Sequence, residues 1–165
     1  MRTQRGVFVV LVLAAALQIA YFYPLLPDTM ASHFDGSGRP NGWASKGAFI
    51  ALYIGLLAMM AANFLVLPAF LERLPVSLIN LPNKSYWLAP ERRKQAWAKI
   101  QVYLLAFGNA AVALMFFVFQ LAMLANLSES RMLSPVIWVL LAAFVAFVGG
   151  CLFRLFRAFR LPPGA

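Results

Sequence analysis

Four long apolar stretches, separated by polar and turn-rich segments, dominate the pattern along the chain. They cover about residues 6–26, 47–71, 100–127 and 133–156, and Arg154 is the one charged residue within them. Each stretch is long enough to cross about 30 Å of hydrocarbon as an α-helix. Since a helix satisfies its backbone hydrogen bonds internally, the pattern predicts four membrane-spanning helices.

The first stretch has two interpretations. Arg2 and Arg5 precede an apolar run, as in a cleavable signal peptide. The run continues through Ala20 to Tyr23, which makes it longer than a typical signal core. We therefore predict an uncleaved membrane anchor.

Composition supports a membrane environment. Of the 165 residues, 63% are apolar and 12% are charged, whereas soluble domains carry roughly a quarter charged residues. The length suits one transmembrane domain, residues 1–165. The single cysteine, Cys151, excludes a disulfide framework within one chain.

The net charge of +9 has two explanations, nucleic-acid binding or the enrichment of Lys and Arg in cytoplasmic loops. The N-terminus, the second connection and the C-terminal tail together hold 11 basic residues, against 3 in the other two connections. This asymmetry favours the second explanation and places both termini in the cytoplasm. The sequence thus predicts an all-α, four-helix up-down bundle, N-in and C-in, with a folded extracytoplasmic loop between helices 1 and 2.

Aromatic residues flank the predicted spans. Trp43, Tyr53 and Trp138 fall near the outer boundary, and Trp97 and Tyr103 fall near the inner one. Trp and Tyr are enriched where lipid headgroups meet hydrocarbon, so we expect these side chains at the membrane interfaces.

Four amide side chains lie well inside the spans. At 1.5 Å of rise per residue, Gln18 and Gln120 fall nearer the outer end, and Asn63 and Asn109 nearer the inner end. Because polar groups in hydrocarbon tend to face other helices, we predict two interhelical pairs, Gln18–Gln120 and Asn63–Asn109. They serve either as structural contacts or as a polar path or lipid pocket.

The outer connection, residues 27–46, is rich in turn signals, namely Asp35-Gly36, Gly38 and Asn41-Gly42. Residues 30–34 would form a short extended arm. Lys46 lies where its stem could extend to the interface.

This connection resembles a known family. The pattern Leu26-Pro27, His33-Phe34, Gly38-x-Pro40, Gly42-Trp43 and Lys46 is similar to the signature of a bacterial membrane domain, domain-of-unknown-function family 1648. The same domain forms the N-terminal part of SdpI-type immunity proteins, which protect cells from a secreted peptide toxin. In the second connection, the run from Leu81 to Arg93 resembles a motif of short family members. The resemblance implies a fold family and a bacterial membrane location, but no reaction.

His33, Asp35 and Asp28 are the candidates for chemistry in the outer loop. A catalytic metal site usually needs three protein ligands in fixed geometry, and this turn-rich segment offers few. We therefore predict no catalytic residue, no metal and no cofactor. The alternative is a small membrane enzyme or transporter accessory that uses these three residues.

The inner connection is strongly basic. Pro90 and Glu91 suit the first turn of a helix that would continue through Trp97 into the third span. Its basic residues, with Trp87 and Trp97, would lie against anionic headgroups. The sharper hypothesis is a cytoplasmic docking surface over residues 83–93.

The preferred function is a non-enzymatic binding, sensing, immunity or accessory protein of the bacterial cytoplasmic membrane. Its partners would be the bilayer, a peptide or membrane protein and further copies of itself, but not nucleic acid. The candidate binding residues of the two loops are His33, Asp35, Gly38, Pro40, Trp43, Lys46, Asn83, Lys84, Tyr86, Trp87, Glu91, Arg92 and Arg93.

Overall fold

The computed structural model describes residues 2–162, which are mostly helical. Residues 1 and 163–165 of the predicted domain lie outside this range. The long helices are joined by a β-hairpin, a π-helical turn and short helices. The elements are α1 (Arg2–Phe22), β1 (Thr29–Phe34), β2 (Pro40–Ser45), α2 (Lys46–Ala61), the π-helical turn Ala62–Val66, α3 (Leu67–Leu71), the 3₁₀ turn Val76–Leu78, α4 (Lys84–Trp87), α5 (Pro90–Leu127) and α6 (Val136–Ala158).

Four helical segments are long and apolar enough to span a membrane, as the sequence predicts. They are Arg2–Phe22, Lys46–Phe70, Pro90–Leu127 and Val136–Ala158. The first ends before its predicted limit at Leu26 because Pro24 disfavours helical geometry at the preceding residue. The third begins with Pro90 as its first residue, and proline is tolerated in the first turn of a helix.

The long helix α5 lies at the centre of the bundle and packs against α1, α2 and α6. Helices α1 and α5 run parallel, since Gln4 bonds to Asn109 and Gln18 bonds to Gln120. In α6 itself no residue is buried. Large apolar side chains are instead exposed along this helix, as expected of a helix that faces lipid.

Helices α2 and α5 contact each other through aromatic rings and one glycine. The Tyr53 ring stacks on Phe119 with centroids 3.9 Å apart. Near the other end of α2, the Phe64 ring lies so close to Gly108 that a Cβ there would be 2.6 Å from Phe64 Cγ. Gly108 thus permits the close approach of α5 to the π-helical turn.

We expect Gly108→Val to lower the free energy of unfolding by about 1–3 kcal/mol, because the added side chain overpacks this contact. Thermal unfolding of the purified protein in detergent measures the change. Gly55→Val is the matched control, since a Cβ at Gly55 meets nothing within 4 Å. Adding Phe64→Ala should restore part of the lost stability, and equal melting of the two glycine variants would contradict this account.

The loop between α1 and α2 is an antiparallel β-hairpin, so the all-α prediction is wrong at this point. The register runs from Thr29 opposite Ser45 to Phe34 opposite Pro40, with irregularities on either side of His33. The extended arm over residues 30–34 is therefore present as β1. The predicted turn signal Asn41-Gly42 is instead part of β2.

Buried residues form two separate clusters. The larger one joins α1, α2, α5 and the hairpin, and includes Phe8, Met30 and Tyr53. The smaller one, here called the inner cluster, comprises Ile79, Leu81, Trp87, Leu88, Ala96, Trp97 and Phe159. The inner cluster unites the connection before α5 with the end of α6.

Candidate functional site

The turn of the hairpin is built around Asp35. Its carboxylate accepts hydrogen bonds from the Ser37 hydroxyl at 2.7 Å and from the backbone N–H groups of Ser37 and Arg39, both at 2.9 Å. The Ser37 hydroxyl and the Arg39 N–H hold the pKa of Asp35 below its ordinary value, because they stabilise the charged form. Asp35 thus closes the turn by the side-chain-to-backbone bonding typical of aspartate.

Asn126, near the end of α5, anchors β1 to the bundle. Its side chain accepts from Ala31 N–H at 2.7 Å and donates to Ala31 C=O at 3.0 Å and Ala122 C=O at 2.9 Å. The amide thereby satisfies both backbone groups of a buried strand residue, as a neighbouring strand would. Asn126 lies at the end of a predicted span, and the sequence predictions concerned only amides well inside the spans.

The hairpin turn is also joined to the connection between α5 and α6. Leu133 N–H donates to Gly38 C=O at 2.8 Å. Gly38 has a φ of +83°, and a Cβ there would lie 2.7 Å from the Leu133 carbonyl oxygen. Both the backbone angle and the contact require glycine.

Lys46 fixes the other end of the hairpin. Its ammonium lies 3.4 Å from the Asp28 carboxylate, donates to Leu26 C=O at 3.0 Å and lies 5.2 Å from the Tyr23 ring centroid. Lys46 N–H also donates to Asp28 C=O at 2.8 Å. This lysine therefore ties the base of the hairpin to the end of α1.

The anchored hairpin leaves a set of side chains facing outward. His33 and Arg39 are exposed, and Trp43 is half exposed with the Arg131 guanidinium 5.2 Å from its ring centroid. Pro40 is half-buried opposite Phe34. We call His33, Arg39 and Trp43 the outer surface.

The three candidates for chemistry do not form one site. The Asp28 carboxylate lies beside Lys46, and the Asp35 carboxylate is used in the turn. Among residues 2–162, no group of three His, Cys, Asp or Glu side chains is placed to hold a metal ion. A cavity of about 460 Å³ lies between the turn and α6, lined by Phe34–Gly38, Leu133, Pro135, Ile137 and Trp138.

The outer pair of amides is present and belongs to a larger network. Gln18 donates to Gln120 at 2.7 Å and to Phe116 C=O at 3.2 Å, and it accepts from the Tyr53 hydroxyl at 2.6 Å. Tyr53 is fully buried, so its predicted place at the lipid boundary is wrong. It turns inward because a partner for its hydroxyl lies there.

The inner pair of amides, Asn63–Asn109, is wrong. Asn63 is exposed and donates to Met59 C=O in its own helix at 2.9 Å. Asn109 instead donates to Gln4, to the side-chain oxygen at 2.6 Å and the backbone carbonyl at 3.1 Å. Depth alone does not give the direction of a side chain, and Asn63 lies in the π-helical turn that alters the local rotation of the helix.

On the basic side, the connection before α5 closes the end of α6. The Trp87 indole and the Asn83 amide donate to Phe159 C=O at 3.0 and 2.9 Å, and Lys99 donates to Ala158 C=O at 3.4 Å. Helix ends leave carbonyl groups without intrahelical partners. Here the side chains of a distant segment satisfy them, and Phe159 is completely buried.

Several residues of the predicted docking surface are therefore structural. Trp87 is 7% exposed and Trp97 is 6% exposed, so neither lies against headgroups as predicted. Arg93 donates to the backbone carbonyls of Glu72 at 2.8 Å and Leu74 at 3.0 Å. The other candidate residues of this connection are more exposed than Trp87. Lys84 and Glu91 are exposed, while Arg92 and Tyr86 are half-buried with the guanidinium 4.0 Å from the ring centroid.

The four long apolar helices and their exposed apolar surfaces indicate a multi-pass membrane protein. Within it, residues 9–59 match the model of a family described as a domain of unknown function, DUF1648. The matched segment runs from α1 through the hairpin into α2, and it confirms the resemblance drawn from the residues of the first loop. Searches of curated proteins and of solved structures each gave no match.

Proposed function

We propose that this protein is a non-enzymatic membrane protein whose outer surface recognises a peptide or another membrane protein. One observation carries the proposal. The hairpin is fixed to the bundle through Asn126, Leu133 and Lys46, while His33, Arg39 and Trp43 remain exposed. A rigid scaffold that presents Trp and Arg side chains suits recognition, because these residues are enriched among those that dominate binding energy.

The distribution of basic residues supports a defined orientation in the bacterial cytoplasmic membrane. We propose that both termini and the inner cluster face the cytoplasm and that the hairpin lies outside. The 11 basic residues of the termini and second connection favour this arrangement. Exposed Lys84 and Lys94 would then contact anionic headgroups.

The positions of the acidic groups favour binding over catalysis. Asp28 pairs with Lys46, and Asp35 accepts three hydrogen bonds within the turn. Neither carboxylate is directed toward His33 by these contacts, whereas a general base or metal ligand needs an oriented partner. An enzyme that uses these three residues would require the hairpin to rearrange.

Photocrosslinking from position 43 tests the recognition surface. With a photoreactive phenylalanine analogue replacing Trp43 in cells, we expect one defined protein or peptide adduct that is lost when Arg39→Ala is added. The same analogue at Leu13, an exposed position in the middle of α1, is the control and should capture lipid and random neighbours. Equal, undefined patterns from both positions would contradict the proposal.

A further inference from the structure

A second cavity lies on the opposite side of the protein from the hairpin. It has a volume of about 320 Å³ and lies between α5, α6 and the segment from Leu74 to Leu81. Its size falls in the range of small-molecule sites, and its lining is predominantly apolar, as such sites usually are. The lining includes Trp97, Tyr103 and Phe107 of α5 and Cys151 and Leu155 of α6.

Trp97 is the unusual member of this lining. The residue is 6% exposed, and its indole N–H has no hydrogen-bond partner among the described residues. Buried polar groups in native proteins nearly always have a partner, so each exception calls for an explanation. A ligand in the cavity that carries an acceptor oxygen would provide one.

The surroundings of the cavity indicate which ligand reaches it. Leu152, on the cavity wall, is 48% exposed on a helix that has no buried residue. Because α6 is one of the candidate membrane spans, the medium beside this wall is lipid hydrocarbon. An acyl chain from the bilayer would thus enter without crossing water.

Two cations lie at this end of the bundle, and one of them, Arg93, contacts a residue that lines the cavity. Arg93 donates to the carbonyl of the lining residue Leu74 at 3.0 Å. Lys99 donates to Ala158 C=O at 3.4 Å and lies 3.9 Å from the Trp87 ring centroid. Neither cation faces a carboxylate in these contacts, so an anionic headgroup near them would be favoured.

We propose that this cavity binds an anionic phospholipid. One acyl chain occupies the apolar space between α5 and α6, and an ester or phosphate oxygen accepts a hydrogen bond from the Trp97 indole. The headgroup lies beside Arg93. This site is independent of the outer surface and of the partner proposed for it.

Cys151 gives a native reporter of occupancy, since it lines the cavity and is the single cysteine of the chain. The full chain in detergent is reacted with an apolar maleimide in the presence of phosphatidylglycerol or phosphatidylcholine. We expect phosphatidylglycerol to slow labelling roughly tenfold near saturation, by mass action, and phosphatidylcholine to slow it less. Trp97→Phe, which keeps an aromatic ring and removes the N–H, should raise the lipid concentration for half-protection several-fold.

The control combines Cys151→Ser with Val139→Cys, which places the thiol at an exposed position on the same helix. Its labelling should respond equally to both lipids. Native mass spectrometry of the unsubstituted chain gives a second readout, with one retained phosphatidylglycerol expected. Four results would each overturn the proposal: protection of Cys151 by phosphatidylglycerol no greater than by phosphatidylcholine, a preference for phosphatidylglycerol at the control position as large as at Cys151, unchanged protection in Trp97→Phe, or no retained lipid.

Discussion

Trp87→Ala is expected to lower the free energy of unfolding by about 3–5 kcal/mol, the range found when large buried aromatic side chains are truncated. The substitution opens a cavity in the inner cluster and removes the hydrogen bond to Phe159 C=O. It also removes the ring that Lys99 contacts, with Nζ 3.9 Å from the centroid. Denaturant unfolding in detergent, followed by circular dichroism, measures the change.

Trp138→Ala is the matched control for this experiment. The Trp138 side chain is 56% exposed, and exposed substitutions away from special features usually change stability little. We therefore expect near-normal unfolding for this variant. A similar loss of stability for both variants would contradict a structural role for Trp87 and would favour the predicted position of Trp87 at the membrane interface.

Asn126→Ala should release the hairpin from the bundle while leaving the helices in place. The substitution leaves the N–H and C=O of buried Ala31 without the partners they have at 2.7 and 3.0 Å. Each unpaired buried group costs about 1–3 kcal/mol. We expect faster hydrogen–deuterium exchange at the backbone amides of residues 29–45 than in the unsubstituted protein, measured by mass spectrometry.

Asn63→Ala is the control for Asn126→Ala because it also removes an amide from a candidate membrane span, Lys46–Phe70. Asn63 bonds to Met59 C=O, four residues before it in the same membrane-spanning segment, so its loss should leave the exchange rate of the hairpin amides unchanged. The account fails if Asn126→Ala leaves this rate unchanged too, or if both variants accelerate exchange equally.

Patterns that depend on local sequence were predicted well. The lengths of the apolar stretches indicate the four helices, and Pro90 correctly marks the start of α5. The Gln18–Gln120 contact was predicted from depth alone. The prediction is right because the two side chains face each other between α1 and α5. Turn-forming residues indicate a folded outer loop, although its strand pairing depends on Asn126, which is far away in the sequence.

Predictions that required knowing which way a side chain faces were the weak ones. Trp87, Trp97 and Tyr53 were placed at membrane interfaces because aromatic residues are common there. The structure buries all three, since tertiary packing offers each ring more contact than the interface does. Nothing in the local sequence of α6 indicates that its final carbonyl groups would bind Asn83 and Trp87.

Several candidate site residues have structural roles that the sequence analysis did not predict. Gly38 and Lys46 were assigned to binding, yet both hold the hairpin in place. Asp35 is explained by turn geometry, because three donors converge on its carboxylate. Solvent exposure and hydrogen bonding distinguish the residues that are available to a partner from those that hold the hairpin in place. Neither property can be read from the sequence alone.

The central claim is that the hairpin and the basic connection lie on opposite sides of a membrane. The most direct test is labelling of intact cells with a membrane-impermeant maleimide, using single-cysteine variants built on Cys151→Ser. Gly36→Cys is suitable in the hairpin, since a Cβ there meets nothing within 4 Å, and Lys94→Cys replaces an exposed inner residue. We predict that Gly36→Cys is labelled in intact cells and Lys94→Cys only after lysis, whereas equal labelling of both before lysis would contradict the account.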